Sequence, residues 1–127
     1  MATAAFASSI DSYQNLTSAM REGKQFTILL DLEKCSGKPG MPMGYFTPSA
    51  MMLVRTTETA PERVVTSHLH FSNNSGKPRY EYVKCTFNTD NTVTIQTTFY
   101  EPQSFNTIGT GHTFNCSMGQ GIEVKTP

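Results

Sequence analysis

The chain has 127 residues and a mass of 14.0 kDa, enough for one domain around one core and too little for two. Ten Lys and Arg balance ten Asp and Glu, and only 16% of residues are charged, so no cationic field exists to hold a nucleic-acid backbone or an anionic membrane. No apolar run nears the roughly 18 residues of a membrane span.

Residues 1–8 carry no positive charge and too short an apolar stretch for a secretory signal, so they read as a flexible N-terminal remnant, with 9–127 as a single β-rich domain. Over residues 9–22, Ile10, Tyr13, Leu16 and Ala19/Met20 recur every three to four positions and predict one amphipathic helix, capped by Ser8 or Ser9 and ended by Gly23. From Gln25 to Cys35 the pattern switches to period two, with Phe26, Ile28, Leu30 and Leu32 on one face of a strand. Three glycines and two prolines then make residues 36–44 a loop, and Tyr45 to Thr57 reads as a strand bent after Pro48. Arg63 to Phe71, Tyr80 to Asn88 and Thr92 to Tyr100 form a three-strand meander, its first strand placing Val64, Thr66, His68 and His70 on one face. Two short strands, His112 to Cys116 and Ile122 to Lys125, close the chain around Gly119-Gln-Gly121. The fold expected is mainly β: an antiparallel, six- to seven-stranded curled sheet or small barrel with one N-terminal helix, a seven-strand sandwich being the alternative.

Cys35, Cys85 and Cys116 have no CxxC spacing, which argues against a finger-type zinc. A bridge from Cys35 to Cys116 would close a loop of about 80 residues and constrain the unfolded chain by about 4 kcal/mol. It would leave Cys85, between Val83 and Phe87, as a small buried thiol.

The order of these signals resembles the VirK family of small exported proteins. The resemblance is carried by a helix ending Arg-Glu-Gly-Lys24, the strand Phe-Thr-Ile-Leu-Leu-Asp-Leu-Glu-Lys-Cys35, the stretch His70-Phe-Ser-Asn-Asn-Ser-Gly-Lys-Pro78 and the ending Phe114-Asn-Cys-Ser-Met-Gly-Gln-Gly-Ile-Glu-Val124. It implies export to an oxidising compartment, hence a secreted or periplasmic location, and a Cys35 to Cys116 bridge. It brings no catalytic residues to transfer.

His68 and His70 project from one face of one strand, roughly 7 Å apart along the backbone. One of them can act as general base or acid, helped by Tyr80, while Tyr82 and Tyr100 from neighbouring strands would share the same wall. His112 would be needed to complete a three-histidine zinc site, a weaker alternative to a site with no cofactor. Met41 and Met43, in the Gly/Pro loop, suit a surface that adapts to apolar ligands. The leading expectation is therefore a small exported β-domain that binds an apolar or aromatic small molecule in its curled sheet, beneath the 36–44 loop. An enzyme centred on His68 and His70, and a structural or host-facing interaction protein using a strand edge, are the alternatives. A homodimer is allowed; nucleic acid and membrane are not expected partners.

Overall fold

The computed structural model describes residues 8–36, 38–73 and 76–127. In chain order the elements are β1 (Ser8–Ile10), α1 (Tyr13–Arg21), β2 (Thr27–Asp31), α2 (Leu32–Ser36), β3 (Met43–Phe46), β4 (Ala50–Val54), β5 (Arg63–Ser72), β6 (Arg79–Asn88), β7 (Thr92–Tyr100), β8 (Thr107–Met118) and β9 (Gly121–Thr126). The chain is mainly β, and its strands form one curled half-barrel sheet in the order β3-β2-β9-β8-β7-β6-β5-β4, with β1 paired to β9 on the edge opposite β2, beyond the short β8 contact. Among the described residues nine strands replace the six or seven expected, because two readings of the sequence divide differently.

The first division is at the N-terminus. Ser8–Ile10 is a strand on β9, pairing Ile10 with Val124, and the helix begins only at Tyr13. Ser12 supplies the physical reason. Its backbone is extended and its hydroxyl accepts from the Asn15 amide at 3.1 Å, so it caps the helix in place of Ser8 or Ser9. Gly23 ends α1 as expected, at a φ of 71° that a side chain would oppose. The expectation of a flexible start falls largely on residues 1–7, outside the described residues.

The second division is at Pro48. Tyr45 to Thr57 is two strands, not one bent strand: β3 pairs with β2 and β4 pairs with β5, at opposite ends of the sheet order. The intervening Thr47-Pro48-Ser49 carries the chain across the mouth of the curl. Similarly, the strand expected over 25–35 stops at Asp31, and Leu32 turns the chain into α2, a second short helix that brings Cys35 to a disulfide with Cys116 on β8.

The β5–β6–β7–β8 wall keeps the predicted alternation. Successive rows across its inner face are Val64–Phe87–Val93–Cys116, Thr66–Cys85–Ile95–Phe114, and His68–Val83–Thr97–His112. The next row is His70–Glu81–Phe99–Ile108, reached through a bulge in which Gly109-Thr110-Gly111 oppose Thr98 alone. Beyond Cys116 the wall turns a corner: β8 and β9 meet in parallel over only Ser117↔Gly121 and Met118↔Ile122, with Gly119 and Gly121 at φ of 84° and 86°.

The lower rows are sealed. Phe87, Leu16, Ile28, Ile95, Ile122 and Val64 are fully buried, and helix α1 contributes Tyr13, Leu16 and Ala19 to the same core. Each fully buried Phe, Leu, Ile or Val side chain contributes roughly 1.5–3 kcal/mol by leaving water. The helix is pinned at its first turn, where the Tyr13 amide donates to Asn91 Oδ1 at 2.8 Å and the Tyr13 hydroxyl donates to Glu62 Oε1 at 2.9 Å. The upper two rows, containing the histidines, extend beyond this apolar plug.

Candidate ligand-binding site

A cavity of about 270 Å³ lies between those upper rows and the β2–β3 arm. One wall is the inner face of β5, β6 and β7, presenting His68, His70, Glu81, Val83 and Thr97. The other is apolar: Leu30, Leu32, Pro42, Met43 and Phe46, with Tyr45 at the edge. Alternation on β5 puts both imidazoles on this wall, because the even-numbered positions from Val64 onward face the core.

The polar groups form a short chain. The Phe46 and His68 rings stack with centroids 4.9 Å apart, and the His68 and His70 rings lie 5.3 Å apart at 32°. His70 donates through Nε2 to Glu81 Oε1 at 3.0 Å, which fixes the proton on that nitrogen. Its Nδ1 is buried without a partner. His68 Nδ1 lies 3.5 Å from the Ser49 hydroxyl. Burial and, secondarily, the neighbouring His70 lower the pKa of His68 below its ordinary 6.5; its hydrogen bond to the Thr47 backbone and the Glu81 carboxylate pull the other way. The site thus holds a neutral imidazole against an aromatic ring and a second imidazole clamped by a carboxylate.

Of the residues singled out from sequence, His68, His70 and Met43 line this cavity, and the others do not. The expectation of a shared wall of imidazoles and phenols is corrected by the register: Leu69 pairs with Tyr82, and Phe71 with Tyr80, which in turn faces Tyr100. Tyr80, Tyr82 and Tyr100 therefore stand on the opposite, convex face, and Tyr80 is not placed to help either histidine. There Tyr80 meets Phe71 at 4.3 Å and Tyr100 stacks on Phe105 at 4.6 Å. His112 lies in the His68 row but on β8, with two strands between them. It lines a separate hollow with Met41 and Phe114, so neither it nor Met41 reaches the His68–His70 cavity. Among the described residues no three His, Cys, Asp or Glu side chains are grouped to hold a metal ion, and the three-histidine set is not assembled. The 36–44 segment contributes Pro42, Met43 and Gly44 to the rim; Gly37 is outside the described residues.

Glu81 belongs to this candidate site although no motif marks it in the sequence. Its signal was available, since it alternates with Val83, Cys85 and Phe87 on the core-facing side of β6, where a carboxylate is out of place unless partnered.

A family model described as VirK protein matches residues 9–105. The crystal structure of lpg1832, a VirK family protein from Legionella pneumophila, superposes with a TM-score of 0.79 at 28% identity, covering 91% of this chain and 97% of that one. No curated protein matches the chain.

Proposed function

The chain belongs to the VirK family, and on that footing we propose that it is an exported β-domain that binds an apolar or aromatic group inside its curled sheet. The observation that carries the reading is the cavity of about 270 Å³ between Leu30, Phe46 and the His68–His70 wall. An apolar cavity of about 150 Å³ accepts benzene. The space here suits a bicyclic or substituted ring, with the carboxylate-held imidazole of His70 beside it. The Cys35–Cys116 disulfide supports export, because such bridges persist in oxidising compartments.

The chain has no Trp, so indole is both a ligand of suitable size and a fluorophore free of tryptophan background. The reading predicts saturable indole binding with a Kd on the order of 0.1 mM. Val83→Phe, which fills the cavity floor, should abolish it. Indole emission that stays linear with concentration in the parent protein would defeat the proposal.

A second reading, hydrolysis by general-base catalysis, is favoured by one distance: His70 Nε2 lies 3.0 Å from Glu81 Oε1, so the carboxylate orients the ring. Turnover of an aromatic ester such as p-nitrophenyl acetate, lost in His70→Ala, would support it. Equal rates in the two proteins would remove it.

A further inference from the structure

The half-barrel is open along one line. β3 pairs on one side with β2, and among the described residues no strand pairs with its other side. Across the mouth, β4 stops level with Ser67, so among the described residues β5 from His68 to Phe71 pairs only with β6. Two strand edges to which, among the described residues, no further strand pairs therefore flank the cavity. The cavity itself follows the β3 edge, since Pro42, Met43, Gly44, Tyr45 and Phe46 all line it in succession.

The phase of the β2–β3 ladder identifies the free groups. The Leu32 amide donates to the Pro42 carbonyl at 3.2 Å, and Leu32 is in register with Pro42 if the observed pairing of Asp31 with Met43 continues. Hydrogen-bonded pairs recur every second residue in an antiparallel ladder, so Leu30–Gly44 and Ile28–Phe46 are the bonded pairs. Met43 and Tyr45, 71% and 78% exposed, then direct their N–H and C=O groups away from β2 toward the open side. Gly44 lies between them on the inner face, in register with Leu30, and a Cβ added there would meet nothing within 4 Å. Glycine inside a strand marks a bulge, a tight bend or a close approach of another chain or ligand; the β2–β3 register runs through Gly44 without a shift, and the space above it is open to such an approach.

We propose that the group entering the cavity belongs to an extended peptide strand of another protein, which adds to the free edge of β3 and seats one aromatic side chain over Gly44. Main-chain hydrogen bonds to Met43 and Tyr45 supply the docking, and the pocket between Leu30, Phe46 and His70 supplies the preference for an aromatic anchor. This rests on the cavity-binding reading above and adds to it the class of ligand.

The test compares three probes on the full chain: indole, blocked phenylalanine (N-acetylphenylalanine amide), and the blocked pentapeptide acetyl-Thr-Thr-Phe-Thr-Thr-amide. The pentapeptide should bind at least tenfold more tightly than blocked phenylalanine and be displaced by indole. Tyr45→Pro removes an amide that serves no ladder bond, and should bring the pentapeptide down to the affinity that the same variant shows for blocked phenylalanine. N-methylation of the two residues flanking the peptide's Phe should do the same without altering the protein. A pentapeptide no tighter than blocked phenylalanine overturns the edge proposal, and indole binding in the same experiment then shows the cavity reading standing by itself. Failure of indole as well sinks both. Sedimentation showing that the chain self-associates through this edge, with Tyr45→Pro restoring the monomer, would reassign the edge to a second copy and also overturn the proposal.

Discussion

Replacing both bridged cysteines, Cys35→Ala with Cys116→Ala, tests how the β2–α2 arm is held to the sheet. The bridge joins residues 81 apart in sequence, and a loop of that length, by the chain-entropy relation, removes about 4.5 kcal/mol of freedom from the unfolded chain. A protein of 127 residues has a total stability of roughly 6 to 19 kcal/mol, so the loss is a large share of the whole. It corresponds to a fall in Tm of about 15 °C. Urea unfolding of the oxidised parent and the double variant measures it. The mechanism also predicts the slope: freed of the cross-link, the unfolded chain expands and exposes more surface, so the m value should rise as the midpoint falls. A loss under about 1 kcal/mol, or a large loss with an unchanged m, would refute the argument that the bridge acts on the unfolded chain.

Gly121→Ala should be costly, because at a φ of 86° its methyl group would overlap the Cys35 sulfur and press on the Cys35 amide 3.2 Å away; a thermal midpoint within 2 °C of the parent's would contradict the packing of this corner. Cys85 is completely buried and burial pushes its thiol up to about 11, so it should resist Ellman's reagent in the native protein and react on unfolding; prompt modification at pH 8 would place it elsewhere. His68 binds its proton less readily when folded than when unfolded. Stability should therefore increase as pH climbs through the window below 6.5 and level off above it, and His68→Phe should flatten that climb in urea midpoints measured across the range.

The meander was legible because its side chains alternate without interruption: Val64, Thr66, His68 and His70 could be assigned to one face from sequence, and they share it. Which face of β5 joins the Val83–Cys85–Phe87 face of β6 was not legible, because Val65, Leu69 and Phe71 make the other β5 face at least as apolar. Six residues, 73–78, separate Ser72 from its partner Arg79, so even-numbered positions on β5 pair with odd-numbered positions on β6. A loop with one residue fewer or more would have exchanged the faces, bringing Tyr80 and Tyr82 to the histidines in place of Glu81 and Val83. Nothing local in the Ser72–Pro78 stretch fixes that count. Pro48 presents the same limit. It announces an interruption, but whether the chain then folds back or crosses to the far edge is decided by Leu29 and Leu30 accepting β3, and Val64 and Val65 accepting β4. Ser12 was a local signal of the helix start that Ile10's apparent periodicity obscured, because Ile10 reaches the core from a strand.

The most direct test of the cavity account is a methyl-resolved NMR titration with indole, observing the Leu, Val and Met signals. Binding inside the curl predicts that Leu30, Val83 and Met43 shift together and saturate on one curve, while Leu69, outside on the convex face, stays still. Shifts confined to Leu69 and the neighbourhood of Phe71 and Tyr100, or none in any methyl group, would contradict it.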